Sequence, residues 1–230
     1  KMTGMPVGLI QTSLGGSPME RWNPKDGDLY LNMVDKIHQT GGRYAGVLWY
    51  QGCSDTNPGP AEKYLEHFRE YVEATRKELG YEIPFFTMQL NRQINGINDE
   101  CWGMVRDAQA RAAKEIPGVS VLTTSNLSLC DGIHNTAQAN VALGEKLAKQ
   151  CAHVLNGKEE YQPPELVKVE RADEAERKSF QLEGSGIWLK LTCDHVKNCF
   201  LVYSAVGKDS GFTLTDSEGE VEILHIRGNR

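Results

Sequence analysis

An aspartate three residues before a histidine, Asp131-Gly132-Ile133-His134, is the pairing in this chain best suited to acid–base chemistry. A carboxylate at that spacing on a turn can hold an imidazole in one tautomer and stabilise the imidazolium once a proton is taken. A serine nucleophile needs such a base. The same four residues also fit a blander reading, an Asp-capped turn with a surface histidine near a helix start. His38, His67, His153, His195 and His225 have no comparable partner in the sequence. Gly15–Gly16 follow a short apolar run and let the backbone approach a ligand closely, so their N–H groups can face an oxyanion; a plain tight turn is the alternative. Gln51 follows Trp49–Tyr50 at the end of another such run. Its amide can donate to a developing oxyanion or bond to neighbouring backbone.

These residues fall just after apolar runs, and the runs imply the elements that must position them. Pro6–Gln11, Ala45–Tyr50, Pro84–Leu90 and Val119–Ser125 are short and nearly continuously hydrophobic, as strands buried on both faces of a parallel sheet are. Helical patterns lie between them. Leu29, Met33 and Ile37 repeat at helical spacing and stop at Gly41–Gly42. Pro60 opens a segment in which Leu65, Phe68, Val72 and Leu79 share a face, with Gly80 as its C-cap. Met104, Val105, Ala108 and Ala112 form a third, ending before Pro117–Gly118. A fourth runs from about Thr136 to Leu155, with Leu143, Leu147, Cys151 and Val154 inward. The alternation predicts an α/β/α layered sandwich over residues 1–157. Residues 158–230 change character: Pro163–Pro164 marks a linker, and Ile187–Leu191, Phe200–Ser204 and Val221–Ile226 are candidate strands of a small β-rich appendage.

In open α/β sheets ligands bind at the carboxyl ends of the strands. Four polar loops occupy those ends: Gln11–Pro18, Gln51–Asn57, Gln89–Gln93, and Asn126 with Asp131–His134. Composition narrows the function classes further. A net charge of −6 without a basic tract disfavours nucleic acid or an anionic membrane surface as partner. No window is apolar enough to span a membrane. Gly15–Gly16 is not GxGxxG and lacks an acidic residue at Rossmann spacing, which disfavours a dinucleotide. The six cysteines form no CxxC pair, so reduced, partly buried thiols are expected and no metal site is implied; only Cys193 and Cys199 are spaced for a local bridge. The chain begins at Lys1 with no signal-peptide pattern, and a processed or trimmed product is expected.

Four ordered blocks resemble the sialate O-acetylesterases of the SGNH hydrolase superfamily, which are themselves similar to certain acetylxylan esterases. Residues 6–22, PVGLIQTSLGGSPMERW, resemble the family's second block, and residues 46–54, GVLWYQGCS, its WYQGES block, with Cys53 where glutamate is usual. Arg106-Asp107-Ala108-Gln109 resembles its R-E-A-Q helix, and Asp131-Gly132-Ile133-His134 its closing D-x-x-H block. The resemblance implies a three-layer α/β/α SGNH-hydrolase-like fold and a serine esterase that removes O-acetyl groups from carbohydrate without cofactor or metal. It makes His134 the base, Asp131 its orienting partner, and Gln51, Gly15 and Gly16 the oxyanion donors. Trp22, Trp49, Tyr50 and Trp102 fall near these loops as candidates for stacking on sugar, of which Trp22 and Tyr50 are the choices. Arg92 is the candidate to meet a substrate carboxylate. An extracellular or periplasmic location follows from the same resemblance.

The family's nucleophilic serine belongs to a GQSN-like first block, and neither GQSN nor GDS occurs here. Ser13, Ser17 and Ser54 lie in later blocks. The expectation is therefore that a first βα unit bearing the nucleophile lies outside this chain, on a separate N-terminal segment. A cysteine nucleophile at Cys53 is disfavoured, because it would need a depressed pKa and a base in reach. Two other readings stay open: a non-catalytic carbohydrate-binding relative, and an esterase of non-carbohydrate acyl esters.

Overall fold

A computed structural model of the chain describes residues 4, 6–94, 96–157, 165–179, 187–194, 214–216 and 219–221. A parallel sheet carries strands β1 (Val47–Trp49), β2 (Phe85–Met88) and β3 (Val119–Leu122) in that order. Val47 pairs with Phe85, and Phe85 with Val119, so the strands end level and their following loops emerge along one edge. Successive side chains on a strand point to opposite faces, and β2, buried along its whole length, serves two clusters. Phe85 packs with the helices α1 (Asp28–Thr40), α2 (Pro60–Leu79) and α3 (Asp99–Glu115), whereas Met88 packs with α4 (Ala137–Asn156) through Leu122, Leu127, Ala139 and Leu143. This is the layered α/β arrangement expected from the alternation.

The helices form for legible reasons. Pro60 occupies the first position of α2, where a missing N–H costs nothing. Gly80 closes it in the left-handed region, φ 75°, with its N–H donating to Arg76 O. The buried face of α2 is Tyr64, Phe68, Tyr71, Val72 and Thr75, rotated from the expected one so that Leu65 and Leu79 are only half-buried. The large rings win the interior because each buries more apolar surface. Tyr71 packs tilted against Trp49 at 4.5 Å between ring centres, and Trp22 meets Trp49 edge-on at 5.1 Å. Thr136 caps α4, its side chain accepting from Ala139 N. Of the residues expected inward on α4, Leu143 is buried but Val154 is 44% exposed, since the last turns run beyond the cluster at β2.

One expectation fails. Pro6–Gln11 is not a strand: it pairs with nothing among the described residues, and Val7 and Leu9 are 80% and 77% exposed. An apolar run becomes an inner strand only when a neighbouring strand takes up its N–H and C=O groups, and this run has no such neighbour here. Helix is also present after residue 157, as α5 (Glu174–Ser179), between β4 (Glu165–Arg171) and β5 (Leu189–Asp194), which pair antiparallel. β5 overlaps the expected Ile187–Leu191. A short pair, β6 (Leu214–Asp216) and β7 (Gly219–Val221), follows. Phe200–Ser204 and most of Val221–Ile226 lie outside the described residues. Cys193 is a free, exposed thiol, and Cys199 lies outside the described residues.

Candidate active site

The Asp131–His134 pair sits on a tight loop beyond β3. Leu129 and Asn135 form an antiparallel bridge, and Cys130 N donates to His134 O at 2.9 Å, so the chain reverses within a few residues. Inside that reversal Asp131 Oδ1 accepts the N–H groups of Ile133 and His134 at 2.8 and 2.7 Å. Its other oxygen, Oδ2, lies 2.8 Å from His134 Nδ1. The backbone N–H groups of His134 and Ile133, then the imidazole itself, hold the Asp131 carboxyl down to about 2. A carboxylate that stays ionised can only accept, so Nδ1 carries the hydrogen, and in the neutral imidazole Nε2 is the nitrogen with the open lone pair. Both side chains face solvent, 53% and 66% exposed. The aspartate that caps the turn thus also orients the imidazole, a geometry that fits the turn reading and the base reading alike.

The glycine loop and the Gln51 loop are tied together. Gly16 adopts φ 71°, which closes the turn after Leu14. Ser54 Oγ donates to Gly16 O at 3.0 Å, and both oxygens of the buried Asp55 accept Met19 N at 3.1 Å. Gln51 Nε2 donates to Ser17 O at 2.9 Å and to Asp55 Oδ2. Both partners are acceptors, so both amide hydrogens of Gln51 are committed and its Oε1 turns away from them. Gly15 and Gly16 are exposed, and their N–H groups have no acceptor among the described residues. Burial raises the Asp55 carboxyl, partly offset by the Gln51 and Met19 donors.

Gly52 is where this loop meets α3. Its φ of 144° is open chiefly to glycine, and a Cβ there would lie 3.0 Å from Gln109 Nε2 and 3.1 Å from Val105 Cγ1. The close approach lets Gln109 bridge two strand ends, its Oε1 accepting Leu90 N at 2.7 Å and its Nε2 donating to Gln51 O at 2.9 Å.

The aromatic and basic candidates divide. Tyr50 is 41% exposed, and its hydroxyl accepts Asn135 Nδ2 at 3.1 Å, which puts its ring beside the His134 loop. Trp22 belongs to the core, 4% exposed, with its indole N–H donating to Ser17 Oγ; a ring enclosed by Trp49 and Tyr71 presents no face to a sugar. Trp49 and Trp102 are buried as well. Arg92 is half-buried and spends Nη1 on two carbonyls, Ser125 O and Leu127 O, each at 2.8 Å, bracing the chain that leads to Asp131. Burial pushes the Cys53 thiol up, opposite to what a nucleophilic thiolate needs.

Sequence reasoning passed over Asp55, Asn91 and Asn135. Each is an ordinary loop residue by type. The available signal was position: Asn91 stands in a strand-end loop already singled out, and Asn135 directly follows His134.

Comparison with known proteins gives the family. The family model described as carbohydrate esterase, sialic acid-specific acetylesterase matches residues 1–153. A probable carbohydrate esterase of Arabidopsis thaliana is 29% identical over 149 residues, covering 62% of this chain and 54% of the relative. The chain therefore spans about half the length of that curated relative. The crystal structure of an Arabidopsis thaliana protein superposes with a TM-score of 0.54 at 27% identity, over 61% of this chain and 58% of that one. A carbohydrate acetylesterase from Xanthomonas citri gives a TM-score of 0.63 at 26% identity, over 74% of this chain and 41% of that one. With the family match covering both the glycine loop and the Asp131–His134 turn, the chain belongs to the carbohydrate esterase, sialic acid-specific acetylesterase family.

Proposed function

We propose that this chain supplies the base and the oxyanion-binding loops of a carbohydrate O-acetylesterase that works through an acyl-serine. The observation that carries the reading is the 2.8 Å contact between Asp131 Oδ2 and His134 Nδ1, which leaves Nε2 as an open base. The nucleophilic serine lies outside this chain. Its Oγ attacks the acetyl carbonyl carbon while His134 Nε2 takes the hydroxyl proton, and the carbonyl π pair moves to oxygen. The amides of Gly15 and Gly16, which have no acceptor among the described residues, stabilise that oxyanion. Gln51 joins them by giving up one of its two present bonds, and otherwise braces the loop. Collapse breaks the bond to the sugar oxygen, which takes the proton from His134. Water then repeats the sequence on the acyl-serine, releasing acetate and restoring the serine.

The substrate class is an O-acetylated glycan, sialic acid or another acetylated sugar, met outside the cell or in the periplasm. Tyr50, 41% exposed, flanks the site, and the remaining guanidinium N–H groups of Arg92, without an acceptor among the described residues, are offered to a substrate carboxylate. The test is acetate release from acetylated sialic acid, acetylated xylan and an aryl acetate, by the protein that includes the serine-bearing segment. Replacing His134 with alanine is expected to lower kcat by roughly 10³-fold or more, and a fluorophosphonate should label a serine outside residues 1–230. Sugar binding without acetate release from any of the three would overturn the esterase reading in favour of a binding relative. Release from the aryl acetate alone would move the substrate to non-carbohydrate esters.

A further inference from the structure

The internal hydrogen bonds of the Asp131–His134 turn set its shape, but other groups set where it sits. Asn91, at the exit of β2, is 1% exposed. Its Nδ2 donates to Leu127 O at 3.2 Å and to Asn135 Oδ1 at 2.7 Å, and its Oδ1 accepts Arg92 N at 2.8 Å. The orientation of this amide is dictated by backbone, because Leu127 O can only accept and Arg92 N can only donate. Trp102, buried on α3, holds the Asn91 carbonyl with its indole N–H at 2.7 Å. The direction passes onward. Asn135 must present its oxygen to Asn91, so its Nδ2 faces Tyr50 Oη at 3.1 Å and Asn140 Oδ1 at 3.2 Å. Asn135 directly follows His134, and Tyr50 directly precedes Gln51. One chain of polar side chains therefore crosses the ends of β1 and β2 and reaches the loop after β3. Two more contacts secure the outer part of that loop, Ile94 N to Gly132 O at 3.0 Å and the Arg92 clamp on Ser125 O and Leu127 O. Neither of these reaches Asn135; on the other side of His134, Ile133 packs against the core.

We infer that Asn91, acting through Asn135 and Tyr50, is a positioning residue that fixes His134 in register with the Gln51 loop. The inference rests on the esterase reading for the step that His134 performs, and on the hydrogen bonds alone for where His134 is held. A buried amide with all its groups satisfied is costly to disturb, because each partner left behind is itself desolvated. An imidazole displaced by a fraction of an ångström still binds substrate but transfers its proton poorly, so the loss belongs in kcat rather than KM.

The experiment is Asn135→Ala, a half-buried position that cuts the chain between Asn91 and Tyr50, read by amide hydrogen exchange and by kinetics. Exchange over residues 128–136 should rise about tenfold with α2 and α3 unchanged, and kcat for acetate release should fall about tenfold with KM within about twofold. Asn135→Asp keeps an oxygen for Asn91 and lets the Tyr50 hydroxyl turn and donate, so it should restore protection of the loop. Wild-type exchange and kcat in Asn135→Ala, or exchange in Asn135→Asp as fast as in Asn135→Ala, would overturn the inference. Should Asn135→Ala unfold α2 and α3, Tyr50→Phe removes from a half-exposed ring the hydroxyl that accepts from Asn135 and also meets Thr124. Faster loop exchange in that variant supports the role, and wild-type exchange overturns it. If the loop loosens as expected while wild type releases no acetate, the esterase reading fails and the positioning role stands.

Discussion

Asp131 does two jobs with one carboxylate: Oδ1 closes the turn and Oδ2 orients the imidazole. Sharing a side chain this way makes turn and base inseparable, and it gives a pH signature with a definite sign. The folded-state value of about 2 lies below the ordinary 3.8 of an aspartate. The contribution of this carboxylate to loop order is therefore complete above that ordinary value and is lost as pH falls from about 4 toward about 2. Exchange of the Ile133 and His134 amides, measured from pH 6 downward and corrected for intrinsic rates, should accelerate within that window; protection persisting well below it would contradict the geometry. The charged Asp131 is legible from D-x-x-H spacing. The commitment of Gln51's amide to Ser17 is not, because no local pattern announces a partner that is 34 residues away.

At the scale of elements, the site depends on how closely loops can approach helices. Gly52 is such a point in the Gln51 loop, with a φ few side chains adopt and a Cβ that would crowd Gln109 and Val105 at 3.0 and 3.1 Å. Gly52→Ala should lower stability by about 1–3 kcal/mol, measured by urea denaturation, and should loosen the Gln109 bridge between Leu90 and Gln51. An unchanged midpoint would mean the loop has slack that its contacts do not suggest. Helix bounds were readable to within a residue or two from Pro60, Gly80, Gly41 and the break at Pro117. Burial faces were less so: α2 turned toward its tyrosines and α4 overhung its cluster. Periodicity defines a face only to within the width of the apolar stripe, and the neighbouring rings choose within it.

For the molecule as a whole, order should be graded by sheet position. β2, paired on both sides and covered on both faces, should exchange its amides slowest, while residues 7–13, exposed and unpaired among the described residues, should exchange close to the rate of an unstructured chain. The contrast is measurable in one hydrogen-exchange experiment. Strong protection of residues 7–13 would show that a partner strand covers them in solution, which is what the proposed serine-bearing segment would do. The location of the nucleophile and the order at this edge are thus one question approached by two measurements.

Strand–helix alternation, the proline and glycine punctuation, and the D-x-x-H turn were determined by the sequence alone, because each depends on residues close together along the chain. The family follows from the same local blocks. Tertiary structure decided the rest. It put Trp22 in the core instead of on a sugar, spent part of Arg92 on two carbonyls, and left Pro6–Gln11 unpaired among the described residues. It also linked Tyr50, Asn91 and Asn135 into one chain. The physical reason is common to all four: hydrogen-bond and packing partners for buried groups come from distant segments, and only folding selects which donor meets which acceptor.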